Sequence, residues 1–372
     1  MKQEIIDILR CPITFESLLP MGKEQIEGIN KGNNSTTLFY SDGTKIDYQL
    51  DNALINVSGT YIYPILDGVI LLRKDMAIVN DPEKHHFDLR NEKKDVENFY
   101  NNIGWKHLSE KYFVDAGEFE DLRPVANEYF KRCNLRVKKY IKQKGKFILD
   151  AGSGPIQYDE YLTYSDNYDY RICVDLSLES LHMAKEKIGD KGIYILGDIT
   201  NLPIKDNLLD AAVSLNVIFH IPKDEQSKAL NEISRTLKPN HTAAVVYTWG
   251  DKYSLLMDIA LFYIKLWQAV KKTGRVFLKM LSKLKLYYPC TVKQNPVLYF
   301  HAFPYSYFKN NKWSFKIEIF VWRSISVPFS KIYIHSFLGG KKILKWIYNW
   351  EDRHPKTAGK FGQYPLFVLT KQ

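Results

Sequence analysis

A short apolar strand that runs directly into a glycine turn limits the folds open to this chain more than any other feature. Residues 147–149 are Phe-Ile-Leu, and Asp150, Gly152 and Gly154 follow at once. Glycine lets the backbone bend sharply and lets a ligand lie against the main chain. The pattern predicts a strand that ends at a ligand-binding turn.

Strand and helix patterns alternate from this turn onward. Such alternation is typical of a parallel sheet that is covered by helices on both faces. We therefore predict an α/β fold with a Rossmann-like sheet. The predicted strands are 147–149, 171–175, 193–196, 211–215 and 243–247, and the predicted helices between them are 178–187 and 224–237.

Acidic residues stand at the ends of the next two predicted strands. Asp175 ends the second strand and Asp198 the third. The carboxyl ends of parallel strands form one edge of the sheet, where open α/β sheets bind their ligands. A carboxylate at Asp175 can accept from both hydroxyls of a ribose, and one at Asp198 can accept from the exocyclic amine of adenine. These positions predict a nucleoside site.

Five motifs, in this order, resemble those of class I S-adenosylmethionine (SAM)-dependent methyltransferases. The most similar branch contains the ubiquinone and menaquinone biosynthesis enzymes. The motifs are Phe147-Ile-Leu-Asp-Ala-Gly-Ser-Gly-Pro155, Val174-Asp-Leu-Ser177, Gly197-Asp-Ile-Thr-Asn-Leu-Pro203, Leu209-Asp-Ala-Ala-Val213 and Ile233-Ser-Arg-Thr-Leu-Lys-Pro239.

This resemblance implies SAM as methyl donor and a seven-stranded sheet with an antiparallel last strand. The glycine turn would hold the methionine part of SAM, and Asn216 would line the methyl-transfer face. Gln157 stands where nicotinamide enzymes have the third glycine of G-x-G-x-x-G, which disfavours a dehydrogenase. The predicted cofactor residues are Tyr100, Asp150, Gly152, Ser153, Gly154, Asp175, Leu176, Asp198, Ile199 and Asn216.

Two histidines are the candidate general bases. His220 follows the fourth predicted strand, and His301 lies in a predicted aromatic strand at 297–303. Methyl transfer is an in-line displacement in which the enzyme aligns the nucleophile, and whether a base also removes a proton from it stays open. For both residues, and for Tyr100 in a predicted lid helix, a purely structural packing role stays open.

The N-terminal residues 1–75 carry a second resemblance. Ile8-Leu-Arg-Cys-Pro12 and residues 63–72 are similar to the small zinc-ribbon-like activator of tRNA and translation-factor methyltransferases. Thr14 stands where the second metal cysteine would be, and no cysteine lies between residues 54 and 62. Because tetrahedral zinc needs four ligands, we predict that this module holds no metal.

Charge and composition suggest the rest of the layout. Residues 251–345 contain 17 Lys or Arg against 3 acidic residues. The four cysteines are far apart, no signal peptide is visible and no apolar run is long enough for a membrane span, so we predict a cytoplasmic protein. Attachment at the periphery of a membrane stays open. The predicted divisions are a small α+β domain at 1–75, a linker at 76–95, the SAM-binding core at 96–250, a basic aromatic substrate cap at 251–338, and a closing helix and strand at 339–372.

Three functions remain open from the sequence. The first, with O-methylation favoured, is transfer to a small molecule that is apolar, ring-bearing, anionic or lipid-linked. The second is methylation of RNA or a translation factor; nucleic acid is disfavoured because residues 216–219 lack the prolines of an Asn-Pro-Pro-Tyr loop. The third is binding to an anionic membrane surface through a basic helix at 253–286.

Overall fold

A computed structural model of the chain describes residues 2–33, 38–79, 85–109, 112–250, 254–263, 266 and 298–372. The strands are β1 (Leu18–Pro20), β2 (Phe39–Tyr40), β3 (Asn52–Asn56), β4 (Ile62–Leu66), β5 (Val69–Leu71), β6 (Ile78–Val79), β7 (Gly145–Ala151), β8 (Tyr168–Asp175), β9 (Gly192–Leu196), β10 (Leu209–Leu215), β11 (Leu237–Val246), β12 (Phe315–Arg323) and β13 (Tyr364–Lys371). The helices are α1 (Gln3–Ile6), α2 (Lys23–Asn33), α3 (Asn91–Phe99), α4 (Val114–Phe119), α5 (Asn127–Arg136), α6 (Asp159–Leu162), α7 (Leu178–Ile188), α8 (Gln226–Thr236), α9 (Leu255–Ala260), α10 (Tyr305–Asn310), α11 (Val327–Tyr333), α12 (Gly340–Arg353) and α13 (Pro355–Phe361).

The predicted α/β class is confirmed. Seven strands form the core in the order β9-β8-β7-β10-β11-β13-β12. The first five are parallel, and β13 runs antiparallel to both of its neighbours. Phe147 and Leu149 pack on one face of the sheet and Ile148 on the other, as expected for a strand buried on both sides.

The N-terminal strands extend this sheet. β3, β4 and β5 form an antiparallel meander, in which Asp67 and Gly68 make the turn with φ of +48° and +80°. Positive φ at both positions is typical of the type I′ turn that suits the twist of a hairpin. β5 then pairs in parallel with β9, with Ile70 opposite Ile195. The core sheet and the N-terminal strands therefore share one hydrogen-bonded layer.

In the N-terminal module, hydrogen bonds between polar side chains are found where the zinc-ribbon-like activator would have its metal cysteines. The Cys11 thiol is buried and accepts from the backbone N–H of Thr14 at 3.3 Å. The Thr14 hydroxyl and the Asn56 amide both donate to the Glu16 carboxylate, at 2.9 and 2.5 Å. Hydrogen bonds therefore connect the loop that contains Thr14 to the end of β3.

The structure corrects the layout of the C-terminal third. Part of the predicted cap at 251–338 belongs to the core, because β12 pairs with β13 along eight residue pairs. The predicted strand at 297–303 is not one: residues 298–304 have no regular secondary structure. Most of the predicted basic helix at 253–286 lies outside the described residues. In the part of the chain that is described, no helix has both the length and the apolar character that a bilayer span requires.

Candidate active site

A cavity of about 450 Å³ lies at the carboxyl edge of the sheet. The ends of β7, β8, β9 and β10 form its floor, and α3 with the turn that follows it forms a wall. Of the twelve predicted site residues, all line the cavity except His301. The strand ends therefore meet where the sequence places them.

The glycine turn after β7 has room only for glycine. Gly152 and Gly154 have φ of +75° and +53°, a region that side-chain-bearing residues rarely adopt. A Cβ atom on Gly152 would lie 2.5 Å from the side chain of Val217, and one on Gly154 would lie 3.0 Å from Trp105. Side chains from two other segments therefore approach this main chain closely.

Asp175 ties this turn to the start of α7. Its carboxylate accepts from the backbone N–H of Gly154 at 2.8 Å and from that of Ser177 at 2.9 Å. Burial raises the pKa of Asp175 from its usual value, and these two hydrogen bonds oppose that shift. The side chain is thus held at the end of β8 by the main chain of the two turns that follow β7 and β8.

Asp150 forms a buried ion pair within the sheet. Arg171, on the neighbouring strand β8, forms an ion pair with its carboxylate, and both side chains are almost fully buried. The same guanidinium donates to the carbonyl of Tyr161 at 2.6 Å. Because a buried charge needs a partner, this arginine fixes Asp150 beneath the glycine turn.

Lys93 of α3 reaches the strand end at Asp198, and the sequence did not single it out. Its ammonium lies 2.5 Å from the Asp198 carboxylate, 2.6 Å from that of Glu225 and 2.9 Å from the Thr200 hydroxyl. Its side chain is only 6% exposed. The lysine thereby fastens α3 over the part of the cavity that contains Asp198 and Ile199.

Several residues that line the cavity have a buried polar atom with no hydrogen-bond partner among the described residues. Two of these atoms are Oδ1 of Asn216, a residue with φ of +60° directly after β10, and Nε1 of Trp105. The Trp105 ring stacks on that of Tyr100, with centroids 4.8 Å apart. Since buried polar groups are almost always paired, this acceptor and this donor are available to a ligand.

His220 lines the cavity as a neutral imidazole. Its Nδ1 lies 2.8 Å from the carbonyl of Tyr299, so this nitrogen carries the hydrogen and Nε2 is left as the acceptor. Burial lowers the pKa of His220 to about 4. The ring is therefore uncharged at neutral pH.

His301 lies elsewhere, which corrects its prediction as a second base. Its segment is irregular instead of a strand, and its backbone N–H bonds to the carbonyl of Phe219 at 2.8 Å. The imidazole packs edge-on against Phe303, with ring centroids 4.7 Å apart. It does not line the cavity.

A further part of the cavity, which we call the acceptor end, is lined by Asp115, Phe119, Tyr161, Arg323 and Tyr364. Burial raises the pKa of Asp115 to about 7, and Gln157 donates to its carboxylate in a long bond of 3.3 Å. Arg323 is buried and pairs with Glu120 at 2.6 Å. Among the described residues, Arg323 forms an ion pair with Glu120, and no cation forms one with Asp115.

The N-terminal module contacts the site through Arg73. This buried guanidinium pairs with Asp75 at 2.8 Å and with Glu97 of α3 at 3.1 Å. It also donates to the carbonyl of Leu176, next to Asp175, at 3.4 Å. One side chain therefore joins the module, the lid helix α3 and the loop after β8.

Comparison with known proteins identifies the family. Residues 149–245 match a family model described as a methyltransferase domain. An uncharacterized protein of Methanocaldococcus jannaschii is 31% identical over 164 residues, which is 41% of this chain and 68% of that protein. The match to the methyltransferase domain model shows that this chain is a SAM-dependent methyltransferase.

Two further similarities are more limited. A tRNA (carboxymethyluridine(34)-5-O)-methyltransferase of Arabidopsis thaliana is 32% identical over 97 residues, which is 26% of this chain and only 22% of the plant enzyme. The structural alignment with the geranyl diphosphate C-methyltransferase of Streptomyces coelicolor covers 76% of this chain and 98% of that enzyme, at 14% sequence identity and a TM-score of 0.41.

The residues of this methyltransferase fit SAM, which is its cofactor. Asp175 and Asp198 offer carboxylates at neighbouring strand ends, as a nucleoside requires. The partnerless Asn216 oxygen and Trp105 nitrogen offer an acceptor and a donor beside the glycine turn. The cavity volume is also in the range of small-molecule sites.

Proposed function

We propose that this methyltransferase acts on a hydroxyl group of a small, ring-bearing molecule bound at the acceptor end of the cavity. Bound SAM supplies an electrophilic methyl carbon on a sulfonium. The protein has to align the acceptor oxygen and receive its proton. The acceptor end offers rings for packing, from Phe119, Tyr161 and Tyr364, and a carboxylate for the proton.

Asp115 is the observation that carries this proposal. A general base works best when its pKa is near the operating pH, and the pKa of Asp115 is raised to about 7. His220, the base favoured from the sequence, has a pKa lowered to about 4 and is a much weaker proton acceptor. In the proposal Asp115 takes the proton of the acceptor hydroxyl, and His220 accepts a hydrogen bond through Nε2 that orients the acceptor.

Modification of tRNA is the second candidate, and the similarity to the Arabidopsis enzyme over 97 residues favours it. The resemblance of residues 1–75 to a methyltransferase activator points the same way. Against it, the acceptor end contains Asp115, and its Arg323 is already paired with the Glu120 carboxylate beside it. A surplus of acid at the site disfavours the approach of a phosphate backbone.

The test is a transfer assay with methyl-labelled SAM, run in parallel on a small-metabolite extract and on bulk tRNA. We expect label in the metabolite fraction, and loss of that label in Asp115→Asn. Glu118→Gln is the matched control, because Glu118 is an exposed acid of the same helix α4. Label that appears only in tRNA, or an Asp115→Asn variant as active as the wild type, contradicts the proposal.

A further inference from the structure

The amphipathic helix α12 presents an unusual outer surface. Large apolar side chains stand outside the fold here: Phe337 is 82% exposed, Leu338 58% and Trp346 66%. Three exposed lysines of α12 lie among them. We call this surface the α12 face, and it consists of Phe337, Leu338, Lys341, Lys342, Lys345 and Trp346.

The opposite side of α12 is fixed to the core. Leu344 and Ile347 are buried, and so is Glu351. The Glu351 carboxylate accepts from the Tyr129 hydroxyl at 2.6 Å and from the backbone N–H of Ser324 at 2.8 Å. With a period of 3.6 residues, these buried positions place Lys342, Lys345 and Trp346 on the outward side.

The charge of the α12 face is of one sign. Within the described part of the chain, no carboxylate forms an ion pair with Lys341, Lys342 or Lys345 (the salt bridges of the helix are made by Glu351 and Asp352 near its other end). Exposed Trp and Phe beside unpaired Lys are the combination found at helices that lie in the headgroup layer of a bilayer. Folded proteins rarely expose such apolar groups together without a partner.

We propose that the α12 face docks this protein on the surface of an anionic lipid bilayer. Phe337, Leu338 and Trp346 enter the boundary between headgroups and acyl chains, and the three lysines lie against anionic headgroups. Neighbouring α9 adds to the apolar area: the Tyr333 hydroxyl donates to the carbonyl of Ala260 at 2.6 Å, and Ile259 beside it is 66% exposed. The proposal does not depend on the identity of the methyl acceptor.

Lipid fits this surface better than nucleic acid. An RNA partner would use the lysines but would leave Leu338 in water, because an aliphatic side chain offers no stacking surface to a base. A bilayer removes the apolar side chains from water and places the lysines next to anionic headgroups.

The experiment is co-sedimentation of the full chain with vesicles. We expect binding to vesicles of equal parts phosphatidylcholine and phosphatidylglycerol, and little binding to phosphatidylcholine alone. The triple change Lys341→Ala, Lys342→Ala, Lys345→Ala should weaken binding to the mixed vesicles on the order of 100-fold. Phe337→Ser with Trp346→Ser should weaken it at least tenfold, since the inserted apolar area is lost.

A matched control removes the same charge elsewhere. Lys309, Lys312 and Lys316 are exposed near the start of β12, and their change to Ala should leave vesicle binding within twofold. Unchanged SAM affinity in all variants shows that they are folded. The proposal is overturned if the wild type ignores the mixed vesicles, if both α12 variants bind like the wild type, or if binding is detected to tRNA and not to vesicles.

Discussion

At the scale of single residues, Asp175 shows how the fold prepares a binding group. The main chain on two sides holds its carboxylate through hydrogen bonds from Gly154 and Ser177. We predict that Asp175→Ala weakens SAM binding by about 1.5–3 kcal/mol, since charge-assisted hydrogen bonds are lost. Isothermal titration measures this, with Asp169→Ala, an exposed acid of the same strand, as the control. Equal affinity in Asp175→Ala and the control would show that the ribose assignment is wrong.

Asp115 gives a prediction that depends on pH. Its pKa is raised to about 7 in the fold, so between about pH 4 and pH 7 the folded chain keeps a proton that the unfolded chain has lost. The free energy of unfolding therefore falls over this interval because of Asp115. In Asp115→Asn this loss is absent, and the variant should gain stability relative to the wild type as the pH rises from 4 to 7, with no further gain above. Urea unfolding of both proteins at pH 5 and pH 8 measures the difference in their free energies of unfolding. If that difference is the same at both pH values, the raised pKa of Asp115 is contradicted.

Sequence and structure agree best for residues that follow their strand directly. Asp150, Asp175 and Asp198 were placed correctly because the end of a parallel strand fixes which edge of the sheet a residue occupies. Lys93 and Asp115 were missed because their partners are distant in sequence, with Lys93 and Asp198 separated by 105 positions. His301 was misplaced because its aromatic segment resembles a strand and is not one.

At the scale of elements, the lid helix α3 depends on one buried lysine. Removing the Lys93 ammonium leaves the Asp198 carboxylate without its ion-pair partner and leaves Glu225 with the more distant Arg90, at 3.8 Å. We predict that Lys93→Met lowers the free energy of unfolding by about 3 kcal/mol. Its neighbour Lys94 pairs with Asp88 at the exposed surface, so Lys94→Met should change it by less than about 1 kcal/mol. Chemical denaturation compares the two, and similar losses would refute the role of Lys93.

The strands of the core were predictable because each is a short apolar run bounded by turn residues. The pairing of β5 with β9 was not predictable, since α3 and the glycine turn lie between these two strands in the sequence. The position of β12 was hidden for the same reason: it is next to β13 in the sheet, and α11, α12 and α13 separate the two in sequence. Local patterns report which residues form strands, and they carry no information on which distant strand lies alongside.

At the scale of the whole molecule, the N-terminal module and the methyltransferase core act as one unit through the shared sheet and Arg73. Arg73→Met removes the ion pair to Glu97 and the hydrogen bond to the Leu176 carbonyl. We predict at least a tenfold loss of SAM affinity, because the loop that contains Asp175 loses its support. Arg132→Met, at an exposed ion pair of α5, is the control and should bind SAM normally. Isothermal titration of both variants with SAM tests this prediction. Wild-type SAM affinity in Arg73→Met would show that the N-terminal module does not support the site.

We infer that the carboxyl edge of this sheet binds the adenosyl sulfonium of SAM. A crystal structure with the product S-adenosylhomocysteine tests this most directly. We expect the ribose at Asp175, the adenine beside Asp198 and Ile199, and the amino-acid part at the turn from Gly152 to Gly154. A crystal in which the compound occupies another part of the protein, or in which this cavity stays empty at saturating concentration, would contradict it.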